Sequence, residues 1–335
     1  MKKRIEYIDI MKAIGMILVI IGHINNFNQD IKPYIYAFHM PLFFFIYGFT
    51  KNEGNKKEVH FKDIFKKRFR TLIIPYFLWA FLYVGISIKN ILYIAFGSHI
   101  SLKKIDGNSS LWYLPAFFLS VIIFESIYYC LNIKKIEEKK CTYVYIITMI
   151  VCIIISTILP NFSIGYLWGI NVSFMGTAFM IIGFYHKKII DKIRLIEKNK
   201  CFLFVSTLLC FLGTFLYKFN NIDYVLMAEN IYGNVLLFII SAITGIWFIL
   251  TFSILIDKML KERIKKKLIF FGENTLCMFA MQKLPINFFM NISNYSNMNR
   301  IFGVTIVTIL TLIILSLGIR FINEFVPELN GKTKN

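Results

Sequence analysis

The sequence predicts an all-α, polytopic integral membrane protein with about ten transmembrane helices and both termini cytoplasmic. Three observations point there. Of 335 residues, 57% are hydrophobic, and mean hydropathy is +0.62. Apolar runs of roughly 17 to 25 residues recur, each long enough to cross a ~30 Å hydrocarbon core as a helix. The runs do not alternate between apolar and polar residues as barrel strands must.

In chain order the expected spans are 8–26, 33–49, 72–88, 111–131, 142–159, 164–185, 201–217, 231–256, 268–290 and 301–321. The ninth is the weakest, being interrupted by Gln282, Lys283 and Pro285. Alternate connections differ sharply in charge: one set, with the two termini, holds 30 Lys and Arg residues, and the other holds 6. Short basic loops stay cytoplasmic. Both termini are therefore expected inside, and the alternation favours an even number of spans. No connection is large enough for a soluble domain, so residues 1–335 read as a single membrane-embedded domain.

The net charge of +19 sits in short clusters between apolar runs, not on one soluble face. It points to the anionic headgroups of membrane lipids as partners and away from nucleic acid. Met1-Lys2-Lys3-Arg4 leads into a long apolar run with no small-residue cleavage site after it, so the first span is expected to stay in place. The six cysteines show no Cys-x-x-Cys spacing and no nearby histidine cluster, and they read as small hydrophobes. No metal site is expected.

Ionisable residues inside spans are expensive and are functional candidates by default. The first span carries Asp9, Lys12 and His23. Eleven residues make just over three helical turns, so Lys12 and His23 share a face about 16 Å apart along the axis. Asp9, one turn before Lys12, can hold its ammonium. With the span running outward, the cation lies toward the cytoplasm and the imidazole toward the outer leaflet. A cation there can meet a phosphate-bearing donor, and an imidazole can take a proton from a hydroxyl near neutral pH. The plain alternatives are a snorkelling lysine and a packing histidine.

The second span descends from outside, so His39 sits at a depth similar to His23, and Gly48 allows close helix contact. Arg68 and Arg70, in the basic segment before Pro75-Tyr76, read either as an inside anchor or as guanidinium forks for donor phosphates. Trp112 opens the fourth span at the outer surface beside Asn108, Ser109 and Ser110. It reads as an interface anchor or a sugar contact. Glu273 stands near the positive end of the ninth span. Glu125, Asn171 and Ser173 read as structural hydrogen-bonders.

Several of these segments together resemble the acyltransferase-3 membrane O-acyltransferases, which modify cell-surface sugars and peptidoglycan. The resemblance is carried by Arg4-x-x-x-x-Asp9-x-x-Lys12 with Gly22-His23, by Phe38-His39-Met40-Pro41-Leu42-Phe43-Phe44 with Gly48-Phe49, by Lys67-Arg68-Phe69-Arg70 before Pro75-Tyr76, and by Leu111-Trp112-Tyr113-Leu114-Pro115. It covers the first 120 residues well and the later spans in character. It implies a ten-span multi-pass protein of the cytoplasmic membrane. No bound cofactor is implied; acetyl-CoA or another acyl-CoA serves as co-substrate, and the acceptor is a hydroxyl of an extracytoplasmic or lipid-linked glycan or glycolipid. Lysine at position 12 stands where arginine is frequent, keeping the charge and losing the bidentate fork. Gln282 stands where family members commonly carry a histidine, leaving support of the site open to it.

On the resemblance and the depth ordering, His23 is the expected general base and His39 orients the site. Lys12, Arg68 and Arg70 are the expected donor-phosphate ligands, with Asp9, Trp112, Glu273 and Gln282 in support. A histidine-acylated intermediate is an open alternative. The chief rival is a transporter of a small anion or lipid-linked sugar, which uses buried charges as a path and typically shows inverted repeats. No clear repeat is visible.

Overall fold

The computed structural model describes residues 5–24, 31–51, 61–133, 137–159, 162–192, 200–292 and 299–333. Arg4 and much of the basic connections 52–60 and 193–199 lie outside the described residues. The protein is 85% helical with no strands among the described residues. The helices are α1 Glu6–His23, α2 Lys32–Thr50, α3 Phe61–Arg68, α4 Ile74–Val84, α5 Ile88–Phe96, α6 His99–Lys103, α7 Tyr113–Ile133, α8 Glu138–Ile158, α9 Ile170–Lys192, α10 Lys200–Thr214, α11 Val235–Met259, α12 Glu262–Glu273, α13 Thr275–Met281, α14 Lys283–Ile292 and α15 Arg300–Phe325.

Among the described residues, six helical stretches are long and apolar enough to cross a membrane: Ser109–Leu131, Glu138–Ile158, Leu167–Lys187, Cys201–Phe219, Val235–Met259 and Arg300–Phe325. The other four expected spans take different forms. α1 and α2 are continuous helices of 18 and 19 residues. The third expected span belongs to a longer helix that starts at Phe61 and turns through a π segment, Phe69–Ile73, before ending at Val84. The ninth is broken into α12, α13 and α14. The polar trio Gln282, Lys283 and Pro285 coincides with the second break, and Asn274, at φ −122° and ψ 29°, makes the first.

The chain divides into two compact units. The first comprises residues 1–43, 190–225 and 232–326; the second comprises 44–189, 226–231 and 327–335.

In the first unit α1 is the central element, packed against α11 and α12. Small residues bring the backbones together. A methyl at Gly272 of α12 would overlap the Asp9 carbonyl of α1, and one at Gly245 of α11 would overlap the Phe38 ring of α2. Such contacts drive helix association where lipid offers no hydrophobic gain. Lys265 ties the basic end, pairing with Glu6 of α1 and, at 2.8 Å, with Asp257 of α11. Those two carboxylates hold the Lys265 ammonium above its ordinary pKa. The α12–α13 break is pinned: Asn274 donates to the Phe270 carbonyl (2.6 Å) and accepts from Asn323 of α15 (2.9 Å).

In the second unit α7 and α9 are joined by a hydroxyl ladder. Ser120 donates to the Ser173 carbonyl (2.9 Å), Ser173 to that of Ala116 (3.0 Å), and Thr177 to that of Ser120 (3.4 Å). The structural reading of Ser173 is met. The end of α2 lies on α9 with nothing between the backbones: side chains at Gly48 or Gly183 would overlap the carbonyls of Met180 or Phe45.

Candidate active site

Within the first unit, α1 keeps helical register from Glu6 to His23, so the spacing that puts Lys12 and His23 on one face holds. The Lys12 ammonium lies 3.2 Å from Asp9 Oδ1, a carboxylate that is almost wholly buried. The charge is thereby held at a fixed place, with a nearly one-third exposed side chain. His23 closes the helix, its Nδ1 2.7 Å from the Val19 carbonyl. A bond to a carbonyl requires Nδ1 to carry the proton, so in the neutral ring Nε2 holds the basic lone pair.

His39 of α2 repeats the device, with Nδ1 2.8 Å from the Ile35 carbonyl. It is buried at 4% exposure, and its Nε2 is likewise the basic nitrogen. Tyr36 joins the two histidines. Its ring lies 4.8 Å from that of His39, and its hydroxyl donates to the Gly22 carbonyl at 3.2 Å, one residue before His23. The absence of a side chain at position 22 leaves room for the ring edge: a Cβ there would sit 3.0 Å from Tyr36 Cε2. Tyr36 also packs edge-on against Tyr224, and the Lys32 ammonium lies 5.2 Å from the Tyr36 ring centroid. Sequence reasoning missed Tyr36. Its signal was available in the i+3 step to His39, which puts both rings on one side of α2.

Gln282 stands at the α13–α14 break, 1% exposed, and neither atom of its amide has a hydrogen-bond partner among the described residues. Such a group costs about 1–3 kcal/mol. Glu273 departs from its expected place. It ends α12 instead of opening a span, because Asn274 breaks the helix immediately after it, and it is exposed.

The remaining expected residues belong to the second unit. Arg68 stacks its guanidinium over the Tyr47 ring at 4.9 Å. Tyr47 in turn donates to Glu125 (2.6 Å), which also pairs with the Lys51 ammonium (2.5 Å). Glu125 is therefore the buried acceptor of a small cationic and phenolic cluster, in keeping with a structural reading. Arg70 lies on the π segment and is exposed; a π turn takes in one extra residue and so rotates the side chains beyond it about the helix axis. Trp112 is 5% exposed, and this burial replaces the expectation of a lipid-interface anchor. It ends a 3₁₀ turn, Ser109–Trp112, whose N-cap Asn108 accepts from the Ser110 amide at 3.2 Å. Among the described residues no group of three His, Cys, Asp or Glu side chains is placed to hold a metal ion.

The family model described as "Acyltransferase domain", that of the acyltransferase-3 family, matches residues 5–320. The chain belongs to this family and is a membrane acyltransferase. No curated protein and no solved structure matches.

Proposed function

We propose that this acyltransferase moves an acetyl group from acetyl-CoA, presented at the cytoplasmic face, to a hydroxyl of an extracytoplasmic or lipid-linked glycan, within a ten-span fold whose termini are both cytoplasmic. The observation that carries this reading is α1 itself. One helix holds an ion-paired cation near one end and, about 16 Å along the same face, an imidazole whose Nδ1 proton is committed to the Val19 carbonyl. That arrangement suits a reaction whose partners arrive from opposite sides of a bilayer.

In the proposed step His23 Nε2 accepts the proton of the acceptor hydroxyl as its oxygen attacks the thioester carbonyl. The carbon–sulfur bond breaks, the coenzyme leaves as the thiolate, and the imidazolium returns the proton to it. A positioned base of this kind contributes about 10²–10⁴ in rate. His39, held through Tyr36, orients the acceptor. Lys12 binds the donor's phosphates, and Gln282 supplies an amide to donor or acceptor.

The test has two arms. Surface glycans from parent and deletion cells are compared by mass, with loss of an acetyl increment expected. Purified protein in lipid nanodiscs, given labelled acetyl-CoA and the glycan so identified, is expected to label the glycan. An unchanged glycan mass, or no labelling by active preparations, removes this function.

A further inference from the structure

Lys32 opens α2, within the first unit, and is one of the 6 Lys and Arg residues in the connections read as outer. Its ammonium is held between two rings, 5.2 Å from the Tyr36 centroid and 5.1 Å from that of Tyr224. The rings themselves meet edge-on at 5.4 Å, and all three side chains are half-buried. Two separate segments build this cage. α2 supplies Lys32 and Tyr36, and the connection between α10 and α11 supplies Tyr224.

Aromatic faces attract an ammonium through their quadrupoles, yet they carry no net charge, so the cage fixes the cation without neutralising it. Among the described residues Lys32 has no carboxylate partner. Two other lysines of the same unit contrast with it: Lys12 pairs with Asp9, and Lys265 with Glu6 and Asp257. A long side chain that swings freely loses rotamer entropy when it pairs. Lys32 is already confined, so less remains to be lost when an anion arrives.

Its position says which anion. Lys32, Tyr36 and His39 are spaced four and three residues apart, which puts them on one face of α2, and the seven residues from Lys32 to His39 rise about 10.5 Å. Tyr36 lies between, its ring 4.8 Å from the His39 ring and its hydroxyl on the Gly22 carbonyl beside His23. A chain that delivers a hydroxyl to the histidines along this face carries its neighbouring unit to the ammonium. We propose that Lys32 is a specificity-determining residue that pairs with a phosphate or carboxylate on the acceptor, so that the enzyme modifies an acidic chain in preference to a neutral one. Membership of the family sets no charge on the acceptor. The proposal rests on the reaction above for which molecule is bound, and on the tyrosine cage for that molecule's charge.

The experiment uses the full chain in phosphatidylcholine nanodiscs with three soluble probes: an oligogalacturonate, a glycerol phosphate oligomer and a neutral glucan oligomer. Binding without acyl-CoA is read by saturation-transfer NMR, and transfer by label from acetyl-CoA. One acidic series is expected to bind and to be acetylated at a lower KM than the neutral glucan. Lys32→Gln is expected to raise that KM roughly tenfold or more, the scale of a charge-assisted bond, at unchanged kcat and with no effect on the neutral glucan. Lys32→Arg should keep the preference, and Tyr224→Leu, which loosens the cage and spares the charge, should fall between. Absence of binding by both acidic series, or acidic binding indifferent to Lys32→Gln, overturns the proposal. So does a Lys32-dependent affinity seen only for phosphatidylglycerol added to the disc, which assigns the ammonium to lipid headgroups. Lys32-dependent binding of an acidic chain that receives no acetyl group sinks the proposed reaction and leaves the anion site standing. Acetyl transfer at equal KM to acidic and neutral chains does the reverse.

Discussion

His23 and His39 differ in what their loss should do, although they share a hydrogen-bonding pattern. His23→Ala is expected to lower transfer by about 10²–10⁴-fold at unchanged protein levels in the membrane, measured as acetyl incorporation into the glycan. Tyr36→Phe removes only the hydroxyl that reaches the Gly22 carbonyl. The expected result is a fall in turnover with little change in the Michaelis constant for acyl-CoA. Lys12→Met, by contrast, should raise that constant by roughly tenfold or more, the scale of a charge-assisted bond, while Lys12→Arg keeps most of the affinity. Gln282→Leu separates stability from activity. Removing a buried amide with no partner among the described residues should raise the melting temperature, and transfer should drop. The histidines and Lys12 were legible in the sequence because a charged side chain in an apolar run is conspicuous. Tyr36 was not, because an aromatic residue in a Phe-rich helix looks like packing until its hydroxyl is seen to have a target.

The helices owe their close approach to a few glycines. Gly48→Val should destabilise the protein by ~1–3 kcal/mol, the usual cost of overpacking, because its side chain would meet the Met180 carbonyl, which cannot rotate away. Thermal unfolding in detergent is the measurement. Gly318→Ala is the contrast and should cost much less, since the atoms a Cβ would meet there are the far end of the Met281 side chain, which can turn aside. Six of the expected spans could be read from hydropathy alone and stand among the described residues as long apolar helices. Two features could not. The π segment Phe69–Ile73 carries no composition signal, because it is an extra residue absorbed within a helix. The first break within residues 268–290 lies at Asn274, which Asn323, a partner 49 positions away, holds in place.

At the scale of the whole molecule, charge placement makes the boldest claim, that both termini face the cytoplasm. Fusion of a reporter that folds only inside the cell should give signal at either end; signal lost at one end would require an odd span count. Acidity should also act on the second unit. Burial lowers the His99 pKa below 6.5, against the upward pull of Glu229, with Lys103 adding to the lowering. The unfolded chain then binds a proton that the folded chain refuses, so stability present above pH 6.5 is lost as the pH falls from there toward the folded value. The melting temperature of the parent should decline across that window more steeply than that of His99→Gln.

The bonds from each histidine to a carbonyl four residues earlier on its own helix carry a mechanical consequence. Each ring is bolted to its parent rod, with no separate swing of its own. Any tilt or slide of α1 against α2 must therefore carry the imidazoles bodily, and the Tyr36 crosspiece couples the two displacements. On the proposed mechanism, a change in how the two helices sit in the bilayer would displace both imidazoles with their helices. Reconstitution into lipids of graded chain length is expected to change the rate for the parent more than the binding of acyl-CoA.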